Sequence, residues 1–162
     1  MLIRFSVANY LSFAEEATLD MTPTALKDHI DTHIHEINAN LKLLKGAIIY
    51  GANASGKSNL LKSLDFFKKL VVSSIDIADI MGLKVDRYIY DRKYNKLPTY
   101  FEIELFIDEE KYRFGCELVD DRVSKEWLFR TKKNSKNEEK IPLYSREGKK
   151  YHARKISQKE KG

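Results

Sequence analysis

The sequence contains the stretch Gly46-Ala-Ile-Ile-Tyr-Gly-Ala-Asn-Ala-Ser-Gly-Lys-Ser-Asn-Leu-Leu61, which passes from an apolar run through a glycine-rich loop into a segment with helical spacing. The spacing Gly51-x-x-x-x-Gly56-Lys57-Ser58 is that of a P-loop. Glycine permits the tight curvature that lets consecutive backbone N–H groups, here roughly those of residues 54–58, converge on phosphate oxygens. The helix that follows adds its positive N-terminal end. The stretch therefore predicts a phosphate-binding loop.

Two side chains of the loop carry the chemistry of such a site. Lys57 is expected to act as a point charge for the β- and γ-phosphates of a nucleotide. Ser58 supplies the hydroxyl that would bind Mg²⁺, which bridges the same phosphates. A glycine-rich turn without function is the alternative, and the flanking patterns argue against it.

Those flanking patterns are the ones that a P-loop requires. Ala47-Ile-Ile-Tyr50 is a short apolar run and is predicted to be a buried strand. From Ser58 to about Ser73, apolar residues recur at steps of three and four, which predicts a helix with one broad buried face. The residues expected on that face are Leu60, Leu61, Leu64, Phe67, Leu70 and Val71.

Composition describes one ordinary domain. The chain has 162 residues, of which 43% are hydrophobic and 33% are charged. No apolar run approaches the ~20 residues of a membrane span, and the N-terminus lacks the apolar region of a signal peptide. Cys116 is the single cysteine and is expected in the core rather than as a nucleophile. A cytoplasmic protein without membrane association is the simplest expectation.

The segments before the loop predict a hairpin and a connection. Residues 2–8 alternate and then turn at Asn9, and residues 16–21 are close enough to pair with them. Residues 22–45 are expected to be a loop-like excursion. Within it, residues 28–36 contain three histidines and three acids that could ligate a metal. His29 and His33 would share a helix face, but Ile30 and Ile34 are equally well spaced to be its buried side, and we favour exposed histidines beside core isoleucines.

After Pro98 the hydrophobic period changes to two. Four strands are predicted, at residues 100–107, 111–118, 122–130 and 140–145, and four such strands in succession make an antiparallel meander. Residues 73–90 are ambiguous, with a short helix near 75–81 and an extended stretch at 87–90. The chain divides into a hairpin, loop and helix at 1–75, a β subdomain at 98–146, and a basic tail at 147–162 that is expected to be flexible from residue 149.

The positive charge is concentrated in the last part of the chain. The net charge is +5, and residues 132–162 contain eleven Lys and Arg against four Glu. Such a segment, with Tyr144, Tyr151 and His152 among the bases, could follow a nucleic-acid backbone. A solvated run of charge is the commoner explanation. The basic segment therefore leaves a second function open, that of a nucleic-acid-binding module in which a nucleotide is structural or absent.

Leu105-Phe-Ile-Asp108-Glu109 resembles a second nucleotide motif, an apolar strand that ends in an Asp for Mg²⁺ and a Glu that polarises water. A parallel core strand should be apolar throughout, whereas Glu102 and Glu104 alternate with apolar residues here. We therefore favour a tight turn between two strands. The other interpretation is a Walker B motif, which would suit a small P-loop kinase or GTPase that uses Asp108 and Glu109.

With these motifs placed, the chain resembles the N-terminal lobe of the ABC-type ATPase heads of SMC, RecF and related bacterial AAA-labelled proteins. The matching parts are Asn9-Tyr10-Leu11-Ser12-Phe13, the loop from Tyr50 to Leu61 with its Asn-Ala-Ser-Gly-Lys-Ser-Asn form, and the β-rich residues 101–144. The segment Val123-Ser-Lys-Glu-Trp-Leu128 is similar to ATPases encoded in anti-phage and abortive-infection loci. The resemblance implies an α/β (α+β) fold, a P-loop NTPase lobe of ABC/SMC type with an antiparallel β-meander subdomain.

The resemblance also implies a ligand set and partners. The expected cofactors are ATP and Mg²⁺, with Asn53 beside the γ-phosphate, Ser58 as metal ligand, and Tyr10 or Phe13 bordering the base. The implied partners are a second ATPase head, from a homodimer or the remainder of the ATPase, together with DNA or RNA and a co-encoded effector protein. The expected nucleotide-binding residues are Gly51, Ala52, Asn53, Ala54, Ser55, Gly56, Lys57, Ser58 and Asn59.

The sequence departs from the family pattern where hydrolysis is concerned. The family completes its site with a Q-loop glutamine, a Leu-Ser-Gly-Gly signature, a Walker B pair and a switch histidine, and none of these is assigned here. Gln158, the one glutamine, lies in the basic tail, and Leu11 stands where many relatives have arginine. The sequence therefore predicts the ATP-binding portion of an ATPase in DNA repair or phage defence, which needs further segments or a partner for hydrolysis and has no assigned catalytic residue.

Overall fold

A computed structural model of the chain describes residues 1–25, 30–73, 84–132 and 142–154. Seven antiparallel strands form its main sheet, and a separate two-stranded hairpin precedes the loop. The strands are β1 (Leu2–Ala8), β2 (Ala17–Asp20), β3 (Ile34–Asn38), β4 (Leu41–Leu44), β5 (Thr99–Ile107), β6 (Glu110–Val119), β7 (Arg122–Lys132), β8 (Tyr144–Glu147) and β9 (Lys150–Ala153). The helices are α1 (Ile30–His33), α2 (Lys57–Ser73) and a short 3-10 helix (Arg92–Lys96).

The main sheet has the order β2-β1-β5-β6-β7-β8-β9. The predicted hairpin of β1 with β2 and the predicted meander from β5 onward are both confirmed. The pairing that joins them was not predicted: β1 lies antiparallel to β5, with Phe5 opposite Ile103 and Val7 opposite Phe101. The hairpin and the meander are therefore parts of one sheet, and β1 brings the turn after Ala8 beside the start of β5.

The core lies between α2 and one face of this sheet. Phe67 of α2 stacks on Phe101 of β5 with ring centroids 5.5 Å apart, and it also contacts Phe5 and Phe114. Alternation with a period of two places these strand residues on the same face, where a helix can cover them. Cys116 is buried on that face, as expected for a core cysteine. Burial of this aromatic cluster fixes α2, and with it the loop that precedes α2.

Helix α2 has the predicted bounds but buries a narrower face than its pattern indicates. Phe66, Phe67 and Leu70 are buried, whereas Leu61 is 62% exposed and Val71 is also exposed. The sheet contacts one side of the helix only, so apolar residues outside that arc stay in solvent. The prediction that Leu61 and Val71 lie on the buried face was wrong.

The apolar run before the loop also differs from its prediction. Ala47-Ile-Ile-Tyr50 forms no strand, and Ile48 and Tyr50 are each 91% exposed. A strand is stabilised by a neighbour that takes its backbone hydrogen bonds. Neither of the two sheets in the described residues includes this run, so no strand takes its backbone hydrogen bonds.

The expected excursion at residues 22–45 contains a hairpin instead. Strands β3 and β4 pair across residues 34–44, and the helix before them, α1, is a single turn. The histidine cluster is divided accordingly: His33 ends α1, and His35 and Glu36 lie on β3, where Glu36 pairs with Lys42 at 3.1 Å. Asp28 and His29 lie outside the described residues. Among those that are described, no group of His, Cys, Asp or Glu could hold a metal ion.

The last strands of the sheet differ from their predictions. The predicted fourth meander strand begins later, at Tyr144, and Lys150–Ala153 pairs with it as β9 inside the stretch expected to be a flexible tail. The predicted short helix near 75–81 and residues 155–162 lie outside the described parts. No helix in the described ranges has the length and apolar character needed to cross a membrane.

Candidate phosphate-binding site

The glycine-rich loop turns directly into α2. Ala54 and Gly56 have φ values of 63° and 91°, in the left-handed region that lets the backbone reverse. Gly56 then accepts the first helical hydrogen bonds, from the N–H of Asn59 at 2.9 Å and of Leu60 at 3.1 Å. Because the first turn of a helix leaves N–H groups without partners inside the helix, the loop and α2 together present several donors in one place.

Lys57 lies folded against the loop. Its Nζ donates to the carbonyl oxygens of Gly51 at 2.9 Å and Ala52 at 2.5 Å, and lies 3.4 Å from the Oγ of Ser55. An ammonium group has three donors and no acceptor, and here the donors of Lys57 bind oxygens of the loop itself. A phosphate in the loop would replace these neutral oxygens with charged ones, which are stronger acceptors.

The electrostatics around the loop favour an anion. The first turn of α2 contains no acidic residue, so nothing in that turn opposes the positive end of the helix dipole. The predicted Mg²⁺ ligand Ser58 is exposed beside it, as are Ala52, Asn53, Ala54 and Ser55. The predicted set from Gly51 to Asn59 is therefore contiguous and open to solvent on the loop side. The N–H groups at the start of a helix and one lysine are groups that can bind the phosphates of a nucleotide.

The turn after β1 packs against the end of the loop. A Cβ added at Gly56 would lie 3.2 Å from the Oγ of Ser12 and 4.0 Å from ring carbons of Phe13. The Nδ2 of Asn59 donates to the same Ser12 oxygen at 2.9 Å. Gly56 is therefore needed for close approach as well as for its positive φ. The sequence alone did not predict the contact of Ser12 with the loop, because nothing in its local pattern indicates it. Ser12 was part only of the family resemblance.

Tyr10 does not border an open site. It is buried, with its ring 5.2 Å from Phe66 and 5.1 Å from Phe101. Burial, together with the carboxylates of Asp86 and Asp65, raises the pKa of its hydroxyl to about 12. The expectation that Tyr10 contacts the base of a nucleotide was therefore wrong, since the ring belongs to the core. Its neighbour Phe13 is half-buried against Gly56.

Asp108 and Glu109 form a tight turn between β5 and β6 and are exposed there. Their φ values are 48° and 65°, the two positive values typical of a type I′ hairpin turn. Thr99, at the other end of β5, donates to the carbonyl of Asn9 at 2.9 Å, next to the turn that supports the loop. Since a strand rises ~3.3 Å per residue, Asp108 lies on the order of 30 Å from that end. The turn prediction is confirmed, and the Walker B interpretation and the kinase or GTPase built on it are contradicted.

Comparison with protein families gives one match. Residues 47–158 match the family described as "AAA domain, putative AbiEii toxin, Type IV TA system". The matched region covers most of the chain and begins at the apolar run before the loop. A comparison with curated proteins found no match.

Proposed function

This chain belongs to that AAA-domain family, and from this premise we propose that it is the ATP-binding portion of an ABC-type ATPase of the SMC/RecF kind. P-loop nucleotide binding of the ATPase type follows from the family. We assign ATP to the loop 51–58, with Lys57 on the β- and γ-phosphates, Asn53 beside the γ-phosphate and Mg²⁺ on the hydroxyl of Ser58. The observation that carries the assignment is the junction at Gly56, where a curled loop enters a helix whose first turn has no acid.

The apolar surface around the loop supports an incomplete ATPase. Ile48 and Tyr50 immediately precede the loop, Leu61 follows it by one turn of α2, and all three are exposed. Large apolar side chains in solvent on both sides of a binding loop indicate a surface that another polypeptide covers. We assign this surface to further segments of the ATPase or to a second head. The same polypeptide would provide the catalytic carboxylate, because Asp108 and Glu109 lie at the far end of β5.

The family description favours one biological setting. It names a toxin of a Type IV toxin–antitoxin system and so points to abortive infection, a form of phage defence, more than to DNA repair. A co-encoded protein is then the natural partner, and a cytoplasmic ATPase acting with it is the proposed form.

Calorimetric titration with ATP and Mg²⁺, followed by a turnover assay on the same sample, tests the function. Lys57→Ala is expected to weaken binding by more than about tenfold, because a charge-assisted contact to phosphate is worth on the order of 1.5–3 kcal/mol. Lys62→Ala is the matched control, since Lys62 is an exposed lysine further along the same helix. Binding with negligible turnover supports an ATP-binding portion that needs a partner. Absence of binding by the unmodified chain, or equal affinities of the two variants, would overturn the assignment.

A further inference from the structure

An open cleft lies beside the phosphate-binding loop and is not part of it. Its volume is about 780 Å³, within the range of roughly 300–1,000 Å³ that is usual for small-molecule sites. Four segments line it: the turn at Leu11 and Ser12, Asn59 of α2, residues 84–87 with 89 and 90, and the turn at Asp120 and Asp121. Asn59 directly follows Ser58, so the cleft begins where the loop ends.

The walls of the cleft are held in place by specific contacts. The N–H of Leu11 donates to the carbonyl of Asp86 at 2.7 Å, and the N–H of Val85 donates to Oδ1 of Asp121 at 2.9 Å. The side chain of Val85 is buried in the core beneath. These contacts attach the segment 84–90 both to the turn that supports the loop and to the β6–β7 turn. The cleft is therefore a built feature of the fold.

One wall presents apolar and aromatic side chains to solvent. Ile89 is 75% exposed and Tyr90 is 79% exposed, and both line the cleft. The ring of Tyr90 packs edge-on against Tyr88 at 5.5 Å, and Tyr88 packs in the same way against the buried Tyr94 at 5.2 Å. This chain of rings orients Tyr90 from behind while leaving most of it free.

The cleft also contains cationic and anionic groups. Arg87 is half-buried and reaches Asp120 at 3.4 Å, a long contact to an exposed carboxylate. Lys84 and Asp86 are exposed at its edge. A ligand that combines a flat apolar part with hydroxyl groups would find both a surface to stack on and polar groups to bind.

We propose that this cleft binds the nucleoside part of the nucleotide whose phosphates occupy the loop, with the base stacked on Tyr90 and against Ile89. The proposal rests on the proposed ATP-binding function. It follows from the position of Asn59, which lines the cleft and directly follows the phosphate-binding residues, and from the two exposed side chains at a suitable surface. Arg87 and the nearby acids lie where they can bind the ribose hydroxyls. Stacking on an aromatic ring accepts any base, with the larger purines gaining most contact.

Two ligands separate the cleft from the loop in one experiment. Mg²⁺-ATP engages both sites, whereas Mg²⁺-tripolyphosphate engages the loop alone. Tyr90→Ala is expected to weaken ATP about tenfold, which is ~1.4 kcal/mol, and to leave tripolyphosphate unchanged. Tyr90→Phe keeps the ring and should retain the affinity for ATP. Tyr151→Ala is the matched control, because Tyr151 is similarly exposed at 75% but lies on β9.

The outcomes distinguish failure of the cleft from failure of the loop. If Tyr90→Ala binds ATP as the unmodified chain does while Lys57→Ala weakens both ligands, the cleft assignment is overturned and the ATP-binding function stands. If Tyr90→Ala weakens ATP and tripolyphosphate equally, Tyr90 acts on the loop or on folding, and the cleft assignment is again overturned. If the unmodified chain binds neither ligand, both proposals fail. Thermal unfolding of each variant, with Tyr151→Ala as reference, checks that the fold is kept.

Discussion

The amide of Asn59 donates a hydrogen bond of 2.9 Å to the hydroxyl of Ser12, and this contact ties the first turn of α2 to the turn after β1. The same hydroxyl lies where a Cβ at Gly56 would come within 3.2 Å. Ser12 thus lies against Gly56 at the end of the loop and accepts a hydrogen bond from Asn59 in the first turn of α2. The main sheet therefore positions the loop in two ways, through the aromatic core under α2 and through this side chain.

Removal of the Ser12 hydroxyl should lower both the stability of the protein and its affinity for ATP. Ser12→Ala leaves the Asn59 amide without this acceptor, and one such hydrogen bond is worth about 0.5–1.5 kcal/mol net. We expect a loss of stability of that size and a several-fold weaker affinity for ATP in calorimetry. Ser124→Ala is the matched control, because Ser124 donates to the carbonyl of Glu117 at 3.0 Å on the meander. Equal ATP affinities of the two variants would contradict a positioning role for Ser12.

The β5–β6 turn should gain stability when glycine replaces its first acid. Asp108 has φ 48°, in the left-handed region, which costs an L-residue roughly 1–2 kcal/mol relative to the right-handed region. Asp108→Gly should therefore raise the free energy of unfolding by about 0.5–1 kcal/mol after the entropy of glycine is deducted, with ATP affinity unchanged. Urea denaturation and calorimetry measure the two effects. A loss of ATP affinity would return Asp108 to the binding site.

The β6–β7 turn also has positive φ values, but it should lose stability when glycine replaces Asp121. Asp121 has φ 58°, but its carboxylate accepts the N–H of Val85 at 2.9 Å. Asp121→Gly is expected to destabilise the protein by roughly 1–2 kcal/mol, because the lost acceptor outweighs the relief of strain. The same urea titration checks this. If both glycine variants stabilise the chain, the contact with Val85 contributes little.

Gly115 should be intolerant of any side chain. A Cβ there would lie 2.4 Å from Cζ2 of Trp127, whose indole nitrogen donates to Glu102 at 2.7 Å. Gly115→Ala is expected to cost about 3 kcal/mol, since the ring must shift and weaken this bond. Gly46→Ala is the control, with no atom within 4 Å of the added carbon. The fluorescence of Trp127, the single tryptophan, should change in the first variant and not in the second. Equal unfolding midpoints would show that Trp127 relaxes freely.

Cys116 should be unreactive in the folded protein and should make stability fall at high pH. Burial, and then the carboxylates of Glu126 and Glu117, raises the pKa of its thiol to about 12 from 9.0. The folded state therefore keeps the thiol neutral, so its contribution to stability is complete below pH 9 and is lost as pH rises toward 12. A thiol reagent at pH 8 should react only after unfolding. Cys116→Ala should show a shallower loss of stability from pH 9 to 12, with the remainder due in part to Tyr10, and an unchanged slope would contradict this.

Short-range patterns in the sequence were sufficient to predict the glycine-rich loop, the bounds of α2 and the first three strands of the meander. The P-loop spacing, the step of three or four residues in α2 and the alternation from Thr99 onward are each determined by residues a few positions apart. The β5–β6 turn was predictable for the same reason, because the acids Asp108 and Glu109 stand between two alternating runs.

Local pattern could not show which elements contact each other. The pairing of Phe5 with Ile103, the contact of Ser12 with Asn59 and the cleft beside Tyr90 each join segments that are far apart in the chain. Local pattern also could not show which apolar side chains are exposed. Leu61 and the run at 47–50 are apolar, but burial requires a surface to pack against, and the described sheet covers another side of α2. The sequence by itself thus determined the glycine-rich loop and the helix that follows it, because their signals are local. Only the tertiary structure decided what supports the loop, what lies beside it and which apolar residues remain exposed, because those depend on contacts between distant segments.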